Sequence, residues 1–178
     1  MRPSSLSIHA DGTPDATDGS SKGSVTVTDF PGHERLRGGL RGELATSTAV
    51  IFMLDGTDLS SQVRLGGEML YDILTDSSIE RCKGLAIGCS KADLKVAKPD
   101  RVRAALTKEL EQLRTTRWSI GMQGEEDTGR PNSFIPLGRQ GQPLDLVVDC
   151  PCPLTVFTCS VKGEGLNAVR DFIAGCFE

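Results

Sequence analysis

The most informative segment of this 178-residue chain is Val25-Thr-Val-Thr-Asp-Phe-Pro-Gly-His-Glu-Arg-Leu-Arg37. A short β-branched run ends in Asp29, and Pro31-Gly32-His33 follows at once. Because β-branched residues favour strands and Pro and Gly end them, the pattern predicts a strand that stops at Asp29 and turns sharply. We therefore expect a carboxylate at the carboxyl end of a sheet, followed by a mobile segment.

The composition is that of an ordinary soluble domain, with 25% charged and 38% apolar residues in 178. This length suits one well-buried domain over residues 1–178 better than two. The net charge of −4 gives no electrostatic reason to expect direct contact with nucleic acid. No apolar run approaches the roughly 20 residues that span a bilayer, and the N-terminus lacks the apolar core of a signal peptide. We expect a soluble chain.

The chain alternates between strand-like and helix-like patterns. Predicted strands are Ser5–His9, Ser24–Thr28, Ala49–Asp55, Gly84–Cys89 and Leu154–Thr158. Predicted helices cover 62–75, a stretch from about Pro99 to Arg117, and Gly165–Phe177. Such alternation predicts an α/β fold with a mainly parallel sheet covered on both faces, and ligands bind beyond the carboxyl ends of its strands. Residues 11–23 are predicted to be a polar loop and residues 118–145 a flexible insertion.

Six cysteines are present, an even number that would also suit disulfides. With no secretory signal, and with Cys89 and Cys159 inside apolar runs, reduced and partly buried thiols are expected instead. Cys150-Pro-Cys152 is the one close pair and has the chemistry to chelate a metal. No second Cys/His pair stands at a zinc-like spacing, however, and the only histidines are His9 and His33. A metal site at this pair is therefore not expected.

Polar groups follow three of the predicted strands, in the segments Asp29-Phe-Pro-Gly32, Ser90-Lys91-Ala92-Asp93 and Ser160-Val161-Lys162. Since the carboxyl ends of parallel strands meet at one edge of a sheet, these segments are expected to lie together. In guanine-nucleotide switches an Asp-x-x-Gly turn places its carboxylate near magnesium and its glycine N–H near the γ-phosphate. Asp29 and Gly32 have the matching residue types.

The second and third segments have the chemistry to recognise guanine. A carboxylate at Asp93 can accept from both guanine N–H donors, which rejects adenine. The stem of Lys91 can lie along the base, and a backbone N–H of 160–162 can meet the guanine carbonyl oxygen. Simpler interpretations stand beside these, because Asp is a favoured helix or turn cap and Ser-x-Lys is frequent after strands. The three segments in this order are less expected by chance than any one alone.

With these residues in view, the chain resembles the beta subunit of the signal recognition particle receptor, a family of small GTPases in the Arf/Sar branch. The resemblance runs from about residue 4 to the C-terminus. Its marks are Asp29-Phe-Pro-Gly-His-Glu-Arg-Leu-Arg37, Val50–Asp55, Glu68–Leu74, Glu109–Arg114 with Thr116-Arg117, and Leu137-Gly-Arg-Gln-Gly141. Arf-like proteins usually show Gly-Gln after the aspartate turn, whereas His33 fills the glutamine position here.

The resemblance implies a fold, cofactors and partners. The fold would be a three-layer, P-loop GTPase-like, mostly parallel sheet flanked by helices. The cofactors would be GTP and Mg²⁺, and the direct partner the receptor's alpha subunit, with the ribosome and translocon reached indirectly. The protein would lie at the cytosolic face of the endoplasmic reticulum membrane and act in co-translational protein targeting. Its activity would be slow GTP hydrolysis.

The resemblance also implies roles for individual residues. Ser4-Ser5-Leu6-Ser7 falls where the family carries its first switch, and Leu6 replaces the magnesium-binding threonine, with Ser5 or Ser7 as an alternative after a small register change. Asp29 would contact magnesium, and His33 would position the attacking water. Ser90 replaces the usual asparagine, which would weaken affinity for the base while Asp93 keeps guanine selectivity.

One motif of the family does not occur. No Gly-x-x-x-x-Gly-Lys-Ser/Thr is found in the 178 residues, although that loop cradles the phosphates. Family order places it upstream of Ser4, with the first strand and the membrane anchor. We therefore expect a fragment of a longer protein, inactive alone, that lacks a central strand between those ending at Asp29 and Asp55. The alternatives are a nucleotide-free scaffold and a vesicle-traffic GTPase of the Arf/Sar type.

Overall fold

The computed structural model describes residues 4–9, 24–123, 134–162 and 165–177. The strands are β1 (Ser4–His9), β2 (Ser24–Asp29), β3 (Ala49–Asp55), β4 (Gly84–Ser90) and β5 (Leu154–Thr158). The helices are α1 (Leu40–Thr46), α2 (Leu59–Leu74), α3 (Pro99–Gln123), α4 (Leu146–Asp149) and α5 (Leu166–Phe177). Short 3₁₀ helices span Glu34–Gly39 and Ser77–Arg81.

The strands of the described residues form two separate sheets. β3, β4 and β5 make a parallel sheet with β4 in the centre, while β1 and β2 pair antiparallel. The mainly parallel arrangement is thus confirmed for β3 to β5 and does not extend to the β1–β2 pair. Within the described part of the chain, β2 and β3 are not hydrogen-bonded neighbours.

β4 organises the core because it has a strand on each side and helices on both faces. Its residues from Gly84 to Cys89 are all buried. Leu85 and Ile87 pack in the cluster that holds α2 and α3, whereas Ala86 belongs to the cluster packed against α5. Side chains alternate between the two faces of a strand, so this division produces three layers. The predicted three-layer α/β fold is therefore confirmed.

Helices α2 and α3 cover one face through regular apolar spacing. In α2, Leu70 and Leu74 are fully buried, and the Asp58 side chain caps the helix by accepting from the Ser61 N–H at 3.3 Å. In α3, a stripe at i, i+4 spacing is fully buried. The stripe consists of Val102, Leu106 and Leu110.

The structure corrects several sequence predictions. α3 continues to Gln123, so the helix extends beyond the predicted end near Arg117 and into the segment assigned to the insertion. The rest of that segment is described from Phe134 onward, where Leu137 and Leu144 are buried and the Ile135 N–H donates to the Thr75 carbonyl at 2.8 Å. Helices α1 and α4 were not predicted.

Some predicted features lie outside the described residues. These are the loop at 11–23 and residues 124–133 of the insertion. For β1, which includes Ser4 to Ser7, the structure describes the backbone only.

All six cysteines are free thiols, and all except the half-buried Cys150 are buried. In the described ranges, no group of three or more His, Cys, Asp or Glu side chains is arranged to hold a metal ion. Among the helices of those ranges, none is both long and apolar enough to cross a membrane.

Candidate functional site

The carboxyl ends of β4 and β5 bring two of the predicted segments together. The two strands are parallel neighbours, so their ends lie side by side. Just beyond the strands, the Cys159 N–H donates to the Cys89 carbonyl at 2.8 Å, and the Ala92 N–H donates to the Cys159 carbonyl at 3.0 Å. These bonds hold the segments 90–93 and 160–162 against each other, as the sequence predicted.

The segments 90–93 and 160–162 form the Asp93 cluster, with Asp93 and Ser160 at its centre. The Ser160 hydroxyl donates to Asp93 Oδ1, and the Lys162 N–H donates to Ser160 Oγ at 3.1 Å. The hydroxyl contact is the main reason that the pKa of Asp93 lies below its usual value, with Lys162 and Lys91 adding a smaller charge effect. Ser160 is buried and Asp93 is exposed. The result is an ionised carboxylate, fixed at one oxygen, at the open edge of the sheet.

Lys91 pairs with a carboxylate that the sequence analysis did not include in the site. Its Nζ lies 2.5 Å from Asp55 Oδ2, while Asp55 Oδ1 accepts from the Thr57 N–H at 3.0 Å and hydroxyl at 2.7 Å. The Lys91 hydrogen bond, followed by those from Thr57, lowers the pKa of Asp55 to about 2. The sequence signal that could have identified Asp55 is an apolar strand that ends in Asp55-Gly56. The Asp29 segment shows the same pattern, a strand-like run that ends in Asp and is followed by a turn.

The Asp55-Gly56 corner fits only a glycine at its second position. The Gly56 N–H donates to the Ser90 carbonyl at 3.2 Å. A Cβ at this position would lie 2.6 Å from that carbonyl oxygen and 2.8 Å from a Val96 methyl. The Ser90 hydroxyl in turn donates to the Leu54 carbonyl at 3.0 Å. Ser90 therefore joins the ends of β3 and β4, at the position where the resemblance expects an asparagine.

The turn after β2 forms a second group of predicted residues. Asp29 and His33 are both exposed, and a Cβ on Gly32 would meet nothing within 4 Å. His33 caps the following 3₁₀ helix, where its Nδ1 accepts from the Arg35 N–H at 3.3 Å. Across the ranges that the structure describes, no hydrogen bond or ion pair joins Asp29 or His33 to the Asp93 cluster.

The backbone register of β1 and β2 places the predicted first-switch residues beside this turn. Ser4 lies opposite Asp29, Ser5 opposite Thr28, and Leu6 opposite Val27, while Ser7 lies further along the pair. The structure thus brings the predicted residues together in two groups. One is at the ends of β4 and β5, and the other is at the shared end of β1 and β2.

The 3₁₀ helix after His33 is anchored to the helical layer. Arg37 Nη1 lies 3.0 Å from Glu68 Oε2 on α2, and Arg41 Nε lies 3.7 Å from the buried Asp76 carboxylate. The Arg37–Glu68 pair thereby connects the segment after the Asp29 turn to α2, one of the two helices that cover β3 and β4.

Sequence comparison places the chain with one family of known proteins. The family model described as signal recognition particle receptor beta subunit matches residues 1–136. The signal recognition particle receptor subunit beta of Mus musculus is 32% identical over 143 residues, covering 79% of this chain and 52% of the relative. The Saccharomyces cerevisiae subunit is 37% identical over 96 residues, covering 50% and 39%. The chain spans about half the length, or less, of these curated relatives.

Solved structures share the fold. The signal recognition particle receptor SRb-GTP/SRX complex from Chaetomium thermophilum matches with a TM-score of 0.65 and 22% identity, covering 96% of this chain and 76% of that one. The SRb-GDP-Mg structure from the same organism matches with a TM-score of 0.63 and 21% identity, covering 83% and 77%. The family match over residues 1–136 includes the Asp29 turn and Asp93, and it stops before the 160–162 segment. The chain belongs to the signal recognition particle receptor beta subunit family.

Proposed function

We propose that this chain forms the guanine-recognising part of a GTP-binding signal recognition particle receptor beta subunit. One observation carries the proposal. It is the ionised Asp93 carboxylate, exposed at the carboxyl edge of the parallel sheet and fixed at Oδ1 by Ser160. Guanine presents two adjacent N–H donors, which a carboxylate accepts as a charge-assisted pair. Backbone N–H groups of the neighbouring 160–162 turn would meet the guanine carbonyl oxygen, and the stem of Lys91 would support the base.

The residues present fit the base and not the phosphates. The 178-residue sequence contains no Gly-x-x-x-x-Gly-Lys-Ser/Thr loop to supply the backbone donors and lysine that phosphates need. Phosphate binding is therefore proposed to require a segment upstream of Ser4. Asp29 is the proposed contact to Mg²⁺, and its position opposite Ser4 in the β1–β2 register supports a shared switch region there.

The test is calorimetric titration with GTP, GDP and ATP. It uses this chain and an extended chain that supplies a Gly-x-x-x-x-Gly-Lys-Ser/Thr segment upstream of Ser4. We expect the extended chain to bind both guanine nucleotides and to reject ATP. Equal binding of ATP would contradict the proposal.

A variant at Asp93 tests the base contact directly. Asp93→Asn replaces one acceptor by a donor, so the affinity of the extended chain for GDP should fall by about 10–100-fold. The asparagine N–H matches the C2 carbonyl of xanthine, so affinity for xanthosine diphosphate should rise. Asp171→Asn on the exposed side of α5 removes the same charge and should leave both affinities unchanged. Unaltered GDP binding by Asp93→Asn would exclude the proposed base contact.

We infer that nucleotide binding would serve recruitment of the receptor's alpha subunit at the endoplasmic reticulum membrane. Family membership supports this role, as does the SRX partner named in the Chaetomium complex. The ribosome and translocon would then be reached through the alpha subunit. Capture of a tagged alpha subunit should be stronger with GTP than with GDP.

His33 is proposed to position water in slow hydrolysis, since its Nδ1 is an acceptor and its Nε2 is left as the donor.

A second candidate is a nucleotide-free scaffold with the same fold. It is favoured by Leu6 in place of a threonine and by Ser90, whose hydroxyl is already bound to the β3 backbone. Under this alternative, neither the 178-residue chain nor the upstream-extended chain binds a nucleotide. The alpha subunit is then captured equally with or without GTP. The vesicle-traffic alternative is not adopted, because the matched family is the receptor subunit.

A further inference from the structure

We propose that Asp55 is a positioning residue of the guanine site, which holds the Lys91 ammonium away from Asp93 and so keeps the Asp93 carboxylate open to the base. The inference rests on the proposed function, because it concerns the same Asp93 cluster. It gives a role in base recognition to a residue that lies outside the three predicted segments and that acts on the base only through Lys91.

Asp55 and Asp93 compete for one ammonium group. Lys91 and Asp93 leave the same tight turn, which the Leu94 N–H closes by donating to the Lys91 carbonyl at 2.9 Å. Asp55 lies at the neighbouring strand end, opposite Ser90 in the register of β3 and β4. A lysine side chain is a flexible four-carbon stem with a compact charge at its tip, so the same ammonium can be directed to either carboxylate.

The structure directs this ammonium to Asp55. Lys91 Nζ lies 2.5 Å from Asp55 Oδ2. The other oxygen, Oδ1, accepts from the Thr57 N–H at 3.0 Å and from the Thr57 hydroxyl at 2.7 Å. Lys91, followed by Thr57, lowers the pKa of Asp55 to about 2, so this acceptor is ionised at neutral pH. Asp55 is therefore a fixed, charged partner for the ammonium.

Asp93 needs both of its oxygens for the base. The Ser160 hydroxyl already occupies one acceptor position on Oδ1. A bidentate pair with the two guanine N–H donors uses the remaining positions on both oxygens. An ammonium bound to Asp93 would place donors where the base needs acceptors, and it would have to leave before the base could bind.

Two ammonium groups are close enough to Asp93 to influence its charge. The Ser160 hydroxyl is the main cause of the lowered pKa of Asp93, and Lys162 and Lys91 add smaller effects. Lys91 is held at the same time by the Asp55 carboxylate. Removing that carboxylate should therefore release Lys91 and strengthen its effect on Asp93.

The first test is carboxyl ¹³C titration of the 178-residue chain, which requires no nucleotide. Asp55→Asn should lower the pKa of Asp93 further, because the released ammonium moves to it. Loss of a neighbouring negative charge also has this direction, so the substitution is repeated in the Lys91→Met background, where the stem remains and the ammonium does not. The shift should be clearly smaller there. Equal shifts in the two backgrounds would show that the ammonium does not move, and would overturn the proposal.

Asp58→Asn is the matched control. Asp58 is close enough to Asp55 for their charges to interact, and it caps α2 by accepting from the Ser61 N–H at 3.3 Å. Asparagine is an equally good cap, so the control removes the same charge without loss of the helix end and without releasing Lys91. It should shift the Asp93 titration much less than Asp55→Asn does. An equal shift would mean a general charge effect and would contradict the proposal.

The second test is titration of the upstream-extended chain with GDP. Asp55→Asn should weaken binding by about 2–5-fold, the effect of an exposed ion pair that the base has to displace. In the Lys91→Met background the same substitution should weaken binding less. A purely structural role of Asp55 predicts equal losses in both backgrounds, and that result would overturn the proposal, as would unchanged binding by Asp55→Asn.

Failure of the proposed function gives a different result. The extended wild-type chain would then bind no guanine nucleotide at all, before any substitution is made. The role of Asp55 in base recognition would fall with it, whatever the carboxyl titration shows. Tight GDP binding by the extended wild type together with equal losses in the two backgrounds would overturn the role of Asp55 alone.

Discussion

Lys91 has a left-handed backbone, with φ +62°, at the turn that leaves β4. For a residue with a Cβ this conformation costs about 1–2 kcal/mol relative to glycine. The turn directs the next N–H, that of Ala92, to the Cys159 carbonyl, and it brings the lysine ammonium to Asp55. A strained residue thus connects the ends of all three strands of the parallel sheet.

Replacing Lys91 should shift the titration of Asp55. With the ammonium removed in Lys91→Ala, the pKa of Asp55 should rise from about 2 toward its usual 3.8. A lowered pKa contributes stability that is fully present above pH 3.8 and is lost as pH falls toward 2. The difference in free energy of unfolding between wild type and variant should therefore shrink over that window. Carboxyl ¹³C titration and urea unfolding measure the two effects.

Lys91→Gly separates the ion pair from the backbone strain. It removes the same ammonium, so Asp55 should titrate as in Lys91→Ala. Because glycine adopts positive φ without penalty, this variant should be more stable than Lys91→Ala by about 1 kcal/mol. Equal stability of the two variants would show that the left-handed turn is not strained.

Among the elements, α2 shows how burial decides the contribution of one residue type. Leu70 is fully buried, whereas Leu65 in the same helix is 67% exposed. Leucine and alanine have similar helix propensities, so the same substitution at both positions isolates packing from helix formation.

Leu70→Ala should lower the free energy of unfolding by about 2–5 kcal/mol, since it leaves a cavity in the core. Leu65→Ala should change it by no more than about 0.5 kcal/mol. Urea denaturation monitored by circular dichroism gives both values. Similar losses at the two positions would mean that α2 does not bury the face that carries Leu70.

The elements also show what the sequence predicts well. β3 and β5 have the predicted bounds, because both are short, mostly apolar runs, and β3 ends at Asp55-Gly56 while β5 begins after Pro153. α1 was missed because it is short and contains Gly42, and it depends on tertiary burial of Leu40 and Leu44. The continuation of α3 to Gln123 was missed because residues 118–123 were assigned to the Gly-, Gln- and Pro-rich insertion that follows them.

The candidate site was predictable to a similar extent. The meeting of Asp93 with Ser160 follows from parallel strand order, which the alternating pattern supplies. The Lys91–Asp55 pair was not predictable, since it depends on a left-handed turn at a residue that rarely adopts one. The geometry between the Asp29 turn and the Asp93 cluster was not predictable, because the two groups lie on different sheets and strand pattern alone does not relate one sheet to another.

At the scale of the whole molecule, one buried arginine joins α3 to the segment that follows residue 133. Arg114 is 5% exposed and donates to the carbonyls of Arg139 at 3.1 Å and Gln142 at 2.6 Å. Its Nη2 also lies 2.8 Å from both oxygens of Glu111, and Glu111 Oε2 accepts from the Leu144 N–H at 3.0 Å.

The same contacts explain two marks of the family resemblance. Gly138 has φ +65°, and a Cβ there would lie 2.9 Å from Arg114 Nη1. The Leu137–Gly141 segment and the end of Glu109–Arg114 are therefore parts of one structural unit, in which the glycine makes room for the guanidinium.

Arg114→Met should loosen this unit and destabilise the whole chain. The change leaves buried carbonyls and a carboxylate without their donor, so we expect a loss of about 2–4 kcal/mol, below the range for fully buried pairs because Glu111 is 37% exposed. Arg103→Met on the same helix breaks only an exposed pair with Asp100 and should cost less than about 1 kcal/mol. Urea unfolding gives the two losses, and limited proteolysis should cleave 137–145 faster in Arg114→Met alone. Equal losses and equal cleavage in the two variants would show that α3 holds this segment without the arginine.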